Sequence, residues 1–171
     1  MLTLGSLDAS HRGALLDLLR ATGAFSPDEM AVALELFDEA AGAPGTGTPD
    51  YEFVAAFDPA GALAGYCCYG PTPGAEGTYD VYWIAVHPRH QRAGVGSTLL
   101  DEVERRLAGR GGRLIVVETS GRAAYDATRR FYGARGYRVA ARLQDFYAPA
   151  DDRLVLAREL GGSLSPAMRG V

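Results

Sequence analysis

The chain has 171 residues, of which 47% are apolar and 22% charged, enough for one ordinary domain with its own core. A formal net charge of −4 without a basic stripe argues against nonspecific nucleic-acid binding. No run of about eighteen apolar residues is present to span a bilayer. The start, MLTLGSLDASHRG, lacks the basic and apolar regions of a signal peptide. Cys67 and Cys68 are adjacent, so on a strand they face opposite ways and are poorly placed to bridge each other. Two cysteines and three scattered histidines give no metal-binding spacing. The expectation is a soluble cytoplasmic protein with no metal, no nucleic-acid partner and no membrane association.

Leu2 to Leu7 reads as a short strand, after which Asp8 or Ser10 caps a helix carrying Leu15, Leu18 and Leu19. A second helix is marked by Ser26 at the N-cap, Pro27 at the first position and Glu29 completing a capping box. Its apolar stripe is Met30, Leu34 and Phe37. The Gly/Pro-rich stretch AGAPGTGTPD (41–50) is a loop. Strands follow over Tyr51–Phe57 and Ala62–Tyr69, joined by a turn at Asp58-Pro59-Ala60-Gly61. A Pro/Gly loop over 70–77 leads to a strand at Tyr79–Val86. Helical spacing then takes over at Val95, Leu99, Leu100, Val103 and Leu107 and ends at Gly109 and Gly111-Gly112. Leu114–Val117 is a continuous apolar run, as in strands buried on both faces.

Strand, helix and strand in that order predict a crossover between parallel strands. A further helix spans about Ala123 to Arg135 and stops at Gly136. Tyr137–Tyr147 and Leu154–Glu159 form a closing antiparallel pair around a Pro149–Asp152 turn, and a frayed tail follows Gly161. The reading is a single mixed α/β domain over 1–160, in the order β-α-α-β-β-β-α-β-α-β-β.

Between the central strand and its helix lies Gln91-Arg92-Ala93-Gly94-Val95-Gly96-Ser97. Closely spaced glycines where a strand enters a helix expose backbone N–H groups at the positive helix end, and no Cβ blocks an approaching phosphate. Arg89 and Arg92 add cationic reach, and the Ser97 hydroxyl adds a donor. A flexible helix start needs the same residues, so the turn alone does not decide. A P-loop is excluded by the absence of a lysine in the turn. A dinucleotide fingerprint is excluded because its third glycine would fall at Leu99.

The segment DVYWIAVHPRHQRAGVGSTLL (80–100) resembles the core motif of the GNAT superfamily of N-acetyltransferases, Gln/Arg-x-x-Gly-x-Gly/Ala after an apolar strand ending in Val-x-Pro. FYGARGY (131–137) resembles that family's second signature, and the order of elements matches over residues 1 to about 160. The resemblance implies a mixed, mostly antiparallel sheet with splayed central parallel strands flanked by helices. It also implies acetyl-CoA, with pyrophosphate on the backbone of Arg92, Ala93, Gly94, Val95, Gly96 and Ser97 after Gln91, and pantetheine along Ile84, Ala85 and Val86. The Val86 N–H would then polarise the thioester carbonyl.

Transfer to an amine needs a proton acceptor, because a lysine-type amine titrates near about 10. The departing thiolate benefits from a donor. The resemblance assigns Tyr132 as that acid, with Phe131 beside it, at spacing from Ala124 and Ala127, packing on the sheet. For the base it offers Asp80, on one strand face with Tyr82, Ile84 and Val86, or Glu118, or a water chain. Glu118 reads equally well as an ion-pair partner of Arg122. Tyr125 stands where relatives commonly carry a cofactor-binding Asn, on one stripe with Thr128 and Tyr132.

Family substrate choice implies an acceptor side built from Phe25, Met30, Phe37, Gln144, Asp145, Phe146, Tyr147, Asp151 and Asp152. Its aromatics and carboxylates suit a small cation or primary amine. Trp83 is expected to face away and pack in the core. A small-molecule N-acetyltransferase, a protein lysine or N-terminal acetyltransferase and a non-catalytic acyl-CoA sensor are the competing functions. A homodimer through the last strands is a further possibility.

Overall fold

The computed structural model describes residues 1–42 and 50–161. Most of the expected 41–50 loop (43–49) and the expected tail from 162 lie outside the described residues. Among the described residues, the elements are β1 (Thr3–Gly5), α1 (Arg12–Thr22), α2 (Pro27–Gly42), β2 (Glu52–Phe57), β3 (Leu63–Pro71) and β4 (Thr78–Val86). They continue with α3 (Val95–Gly109), β5 (Leu114–Ser120), α4 (Asp126–Ala134), β6 (Arg138–Ala148) and β7 (Asp151–Glu159). The fold is α/β, with a mixed sheet ordered β1-β2-β3-β4-β5-β7-β6, mostly antiparallel with β4 and β5 parallel. No described helix is long and apolar enough to cross a membrane.

The chain divides into two compact units, Met1–Pro71 with Tyr82–Arg106, and Thr72–Val81 with the chain from Leu107 onward. In the first unit the caps act as the residue types require. Asp8 Oδ1 accepts from the Ser10 N–H at 2.9 Å and starts a 3-10 turn at Ala9, which cuts the expected strand Leu2–Leu7 down to Thr3–Gly5. Glu29 N–H donates to Ser26 Oγ at 3.2 Å, and Ser26 N–H donates to Glu29 Oε2 at 2.7 Å, the expected capping box. Arg12 holds Asp38 through Nε and Nη2, joining α1 to α2.

Period-two alternation sorts the strand residues. Phe53, Ala55, Tyr66 and Cys68 face Leu15, Leu18, Leu19, Ala33 and Phe37 in one buried cluster. Val54 and Cys67 are also buried, and they pair across β2 and β3 on the opposite face. The adjacent cysteines therefore face opposite ways, and burial pushes both thiols well up, Cys68 to about 12. Trp83 is half-buried and packs against this cluster, 5.7 Å from the Phe25 ring, as does Tyr82, so the two do not separate to opposite sides as expected.

In the second unit β4 pairs in parallel with β5 from Thr78–Leu114 to Val81–Val117. Strand β5 pairs antiparallel with β7, and β7 with β6. Ile115, Val117, Leu154 and Leu156 supply its buried side chains. Two expectations are corrected. Strand β7 begins at Asp151, so Asp151 and Asp152 belong to the strand and the turn contracts to Pro149 and Ala150, the latter at φ 62°. The helix expected from Ala123 opens as a 3-10 turn over Ala123–Tyr125 and becomes α-helical only at Asp126.

Candidate active site

The first unit carries the glycine turn between β4 and α3. Strand β4 runs out at Val86, and Pro88 opens a 3-10 turn over Pro88–His90, with His87 Nδ1 accepting from the Arg89 N–H. Three contacts hold this segment to its surroundings. The His87 N–H donates to the Ala64 carbonyl at 2.9 Å, the Gln91 side-chain amide donates back to the Val86 carbonyl at 3.4 Å, and His90 Nε2 lies 3.5 Å from Asp58 Oδ2. Asp58 is itself fixed, because its Oδ1 accepts from the N–H groups of Ala60 and Ala62 at 2.9 Å each, and those bonds hold its carboxyl below the usual range.

Arg92 (φ 62°) and Gly94 (φ 80°) are both left-handed, a conformation natural to glycine and uncommon for arginine. Helix α3 then starts at Val95. The Thr98 N–H reaches the Gly94 carbonyl at 2.9 Å, so the N–H groups of Val95, Gly96 and Ser97 precede the first intrahelical bond. A Cβ added at Gly94 meets nothing within 4 Å, so the space before this row is open. Arg89 and Arg92 are exposed, and among the described residues no carboxylate pairs with either. Left-handed residues, open N–H groups and free guanidinium groups together suit a pyrophosphate. The fit of this turn to CoA rests on those features. Gln91 acts within the protein, tying the turn back to the end of β4.

Gly65 is the positioning residue that sequence reasoning missed. A Cβ there would lie 2.9 Å from the Ala85 carbonyl oxygen, 3.1 Å from Val95 Cγ1 and 3.2 Å from Leu99 Cδ1. Its absence lets the start of α3 and the end of β4 settle close onto β3. An isolated glycine inside a strand was the available signal.

In the second unit Asp80 is half-buried, and its Oδ2 accepts from the Thr72 hydroxyl at 2.7 Å. Thr72 lies in the loop before β4, and nothing in its sequence position singled it out. Glu118 is exposed and pairs with Arg153, which replaces the expected pairing with Arg122. The register explains the change, since Ser120 faces Arg153 and Glu118 faces Val155 on the neighbouring strand. Arg122 instead binds Asp151 at 2.9 Å, and Asp151 also accepts from the Ser120 hydroxyl.

Tyr132 is 2% exposed and sits edge-on to Phe131 and Tyr137, each ring 5.2 Å away. The stripe expected to pack through Ala124, Ala127 and Phe131 is reversed. Ala124 and Ala127 are exposed, Phe131 is half-buried, and Tyr125, Thr128 and Tyr132 form the more buried side. Within the α-helix, Thr128 and Tyr132 share one side at i and i+4 and Ala127 and Phe131 the next, and it is the first of these that is turned inward.

The acceptor-side residues divide as well. Phe37 is core, 1% exposed and 5.6 Å from the Phe53 ring, and Met30 packs on the same cluster. Gln144 is exposed. Phe146 and Tyr147 are exposed at the hairpin tip, edge-on to each other at 5.1 Å and 89°. The carboxylates beside them already have partners: Asp152 binds Arg142 and the Asp145 N–H, and Asp145 accepts from the Ala150 N–H. Among the described residues no cluster of His, Cys, Asp or Glu is arranged to hold a metal.

Comparison with known proteins follows the same lines. The acetyltransferase (GNAT) family profile matches residues 15–137. A GNAT-family protein of known structure from Desulfovibrio desulfuricans is 40% identical, with a TM-score of 0.87 over 94% of this chain and 100% of that one. The ribosomal-protein-S18-alanine N-acetyltransferase from Escherichia coli is 22% identical, with a TM-score of 0.75 over 95% and 96%. An aminoglycoside 6'-N-acetyltransferase complexed with coenzyme A is 18% identical, with a TM-score of 0.73 over 95% and 99%. The last two likenesses are of fold. Among proteins of curated function, none matches this sequence.

Proposed function

The chain belongs to the acetyltransferase (GNAT) family, and on that premise we propose that it transfers an acetyl group from acetyl-CoA to the primary amine of a small molecule within a ternary complex. The observation that carries the donor half is the turn with Arg92 and Gly94 both left-handed before the open N–H row of α3. In this reading Arg92 to Ser97 hold the pyrophosphate, Arg89 and Arg92 screen its charge, and the backbone of Ile84, Ala85 and Val86 receives the pantetheine. Bound acetyl-CoA supplies the thioester acyl group and the thiolate that leaves.

The remaining chemistry belongs to the protein. The Val86 N–H donates toward the acyl oxygen. The amine nitrogen forms the new N–C bond as the C–S bond breaks, and its proton passes to Asp80, directly or through water. The Thr72 hydroxyl already occupies Asp80 Oδ2, which orients the carboxylate and leaves Oδ1 as the acceptor. Glu118 is the weaker candidate for this step, because its charge is engaged by Arg153. The Tyr132 hydroxyl gives its proton to the sulfur and is reprotonated from solvent. Tyr125 lines the cofactor side of the same helical stripe.

Calorimetry with CoA tests the turn. Gly94→Val places a β-branched residue at φ 80°, and CoA affinity should fall at least about a hundredfold. Unchanged affinity would remove the turn from the site. Thiol release from acetyl-CoA with a panel of primary amines tests the transfer, and CoA binding without release for any amine points instead to an acyl-CoA sensor.

A further inference from the structure

The turn between β4 and α3 keeps its shape by bonds that reach only three residues. The His90 N–H donates to the His87 carbonyl at 2.8 Å, the Gln91 N–H to the Pro88 carbonyl at 3.3 Å, and the Ala93 N–H to the His90 carbonyl at 3.4 Å. The longest of these lies across left-handed Arg92, where the pyrophosphate is proposed to sit. A left-handed arginine persists only where its surroundings hold it. Among the described residues, the polar contact that carries residues 88–94 beyond β4 and α3 is made by the His90 side chain, whose Nε2 lies 3.5 Å from Asp58 Oδ2.

Asp58 is built to present that oxygen. It sits on the β2–β3 turn, closed by the Asp58 N–H on the Ala62 carbonyl and the Gly61 N–H on the Asp58 carbonyl, each at 2.9 Å. Its Oδ1 is taken by the N–H groups of Ala60 and Ala62, so Oδ2 is the oxygen left for His90. Both side chains are largely out of water, 18% exposed for Asp58 and 29% for His90. The other titratable groups beside His90 lie on its own segment: His87, with ring centroids 6.1 Å apart, and the exposed Arg89, next in sequence. His87 Nδ1 accepts from the Arg89 N–H at 3.2 Å, so a proton on that nitrogen breaks the bond. That effect of acid is opposite in sign to a proton on His90.

We propose that Asp58 is a positioning residue for CoA: acting through His90, it holds the turn in the shape that receives the pyrophosphate, most firmly when His90 is charged. The inference rests on the reading of this turn as the CoA site. Its sign separates it from simple electrostatics. As a charge alone, an aspartate beside this turn repels an anionic ligand, and removing it tightens binding. As a tether it does the reverse, and removing it loosens binding. The ion pair needs a protonated imidazole and is lost as pH rises through the range in which histidines discharge, so the effect belongs to acid pH.

Calorimetric titration of CoA into the full chain at about pH 6 and about pH 8.5 tests this. Asp58→Asn keeps an oxygen for the Ala60 and Ala62 N–H groups and removes only the charge, so the β2–β3 turn stands. Its expected Kd for CoA is about fivefold above the parent's at the lower pH and within about twofold of it at the higher. Adding Asp58→Asn to His90→Gln should change Kd less than about twofold, because both changes break one contact. Parental or tighter binding by Asp58→Asn at the lower pH overturns the tether. An equal loss at both pH values, or a full fivefold loss in the His90→Gln background, overturns it as well and assigns Asp58 to the fold of its own turn. A parent that binds CoA at neither pH sinks the CoA reading of the turn itself.

Discussion

Replacing Gly65 with alanine adds one methyl group at the place where β3, the end of β4 and the start of α3 converge. That Cβ would stand 2.9 Å from the Ala85 carbonyl oxygen, 3.1 Å from Val95 Cγ1 and 3.2 Å from Leu99 Cδ1. Ordinary contact begins near 3.4 Å, so all three neighbours are too close, the backbone oxygen by about half an ångström. Val95 and Leu99 are buried, and side chains in a close-packed interior yield only at a cost. Overpacking of this kind costs about 1–3 kcal/mol. For a domain of this size that is a fall in Tm of about 2–12 °C.

The displacement also has a direction. Val95 and Leu99 sit on the first turns of α3, whose N–H row is the proposed pyrophosphate site, so CoA affinity should weaken about tenfold along with stability. Differential scanning calorimetry and CoA titration measure the two effects. Gly133→Ala is the matched control, because a Cβ at that helical position meets nothing within 4 Å and should raise Tm slightly. A Gly65→Ala protein with parental Tm and parental CoA affinity would show that β3 and α3 have slack, and the account of how the turn is positioned would fail.

Tyr132→Phe should lower kcat about 10–100-fold with acetyl-CoA affinity changed less than about twofold, read from steady-state kinetics and calorimetry. Parental turnover would remove Tyr132 as the acid. Glu102 gives a pH test of stability: side-chain bonds from Arg105 and Arg106 hold its carboxyl at about 2, below the ordinary 4.5. The folded value lies below the unfolded one, so the contribution is complete above pH 4.5 and is lost as pH falls through about 2. Glu102→Gln should therefore lower Tm at pH 7, with the gap from the parent closing between pH 4.5 and 2. A gap independent of pH would assign the loss to packing.

Local chemistry made much of this protein legible before any coordinates. Ser26, Pro27 and Glu29 announce a helix start because the capping bonds span only three residues. Gly94 marks the turn because left-handed backbone is a local demand, and the motifs over residues 80–100 and 131–137 carried the family resemblance. The apolar alternation that sent Cys67 and Cys68 to opposite faces is a property of a single strand.

Tertiary structure decided what depended on distant partners. Glu118 and Arg153 are far apart in sequence, and the β5–β7 register placed them together and gave Arg122 to Asp151. Tyr132 became the buried member of its aromatic pair because Tyr137, beyond the end of the helix, packs against it. Gly65 looked like an incidental glycine until the approach of Ala85, Val95 and Leu99 supplied its reason. The carboxylates of DFYAPADD read as open charge in sequence, and only the fold gave Asp151 to Arg122 and Asp152 to Arg142 while leaving Asp145 exposed. A residue's backbone preference travels with the residue, whereas its charge balance and exposure depend on what the rest of the chain brings beside it.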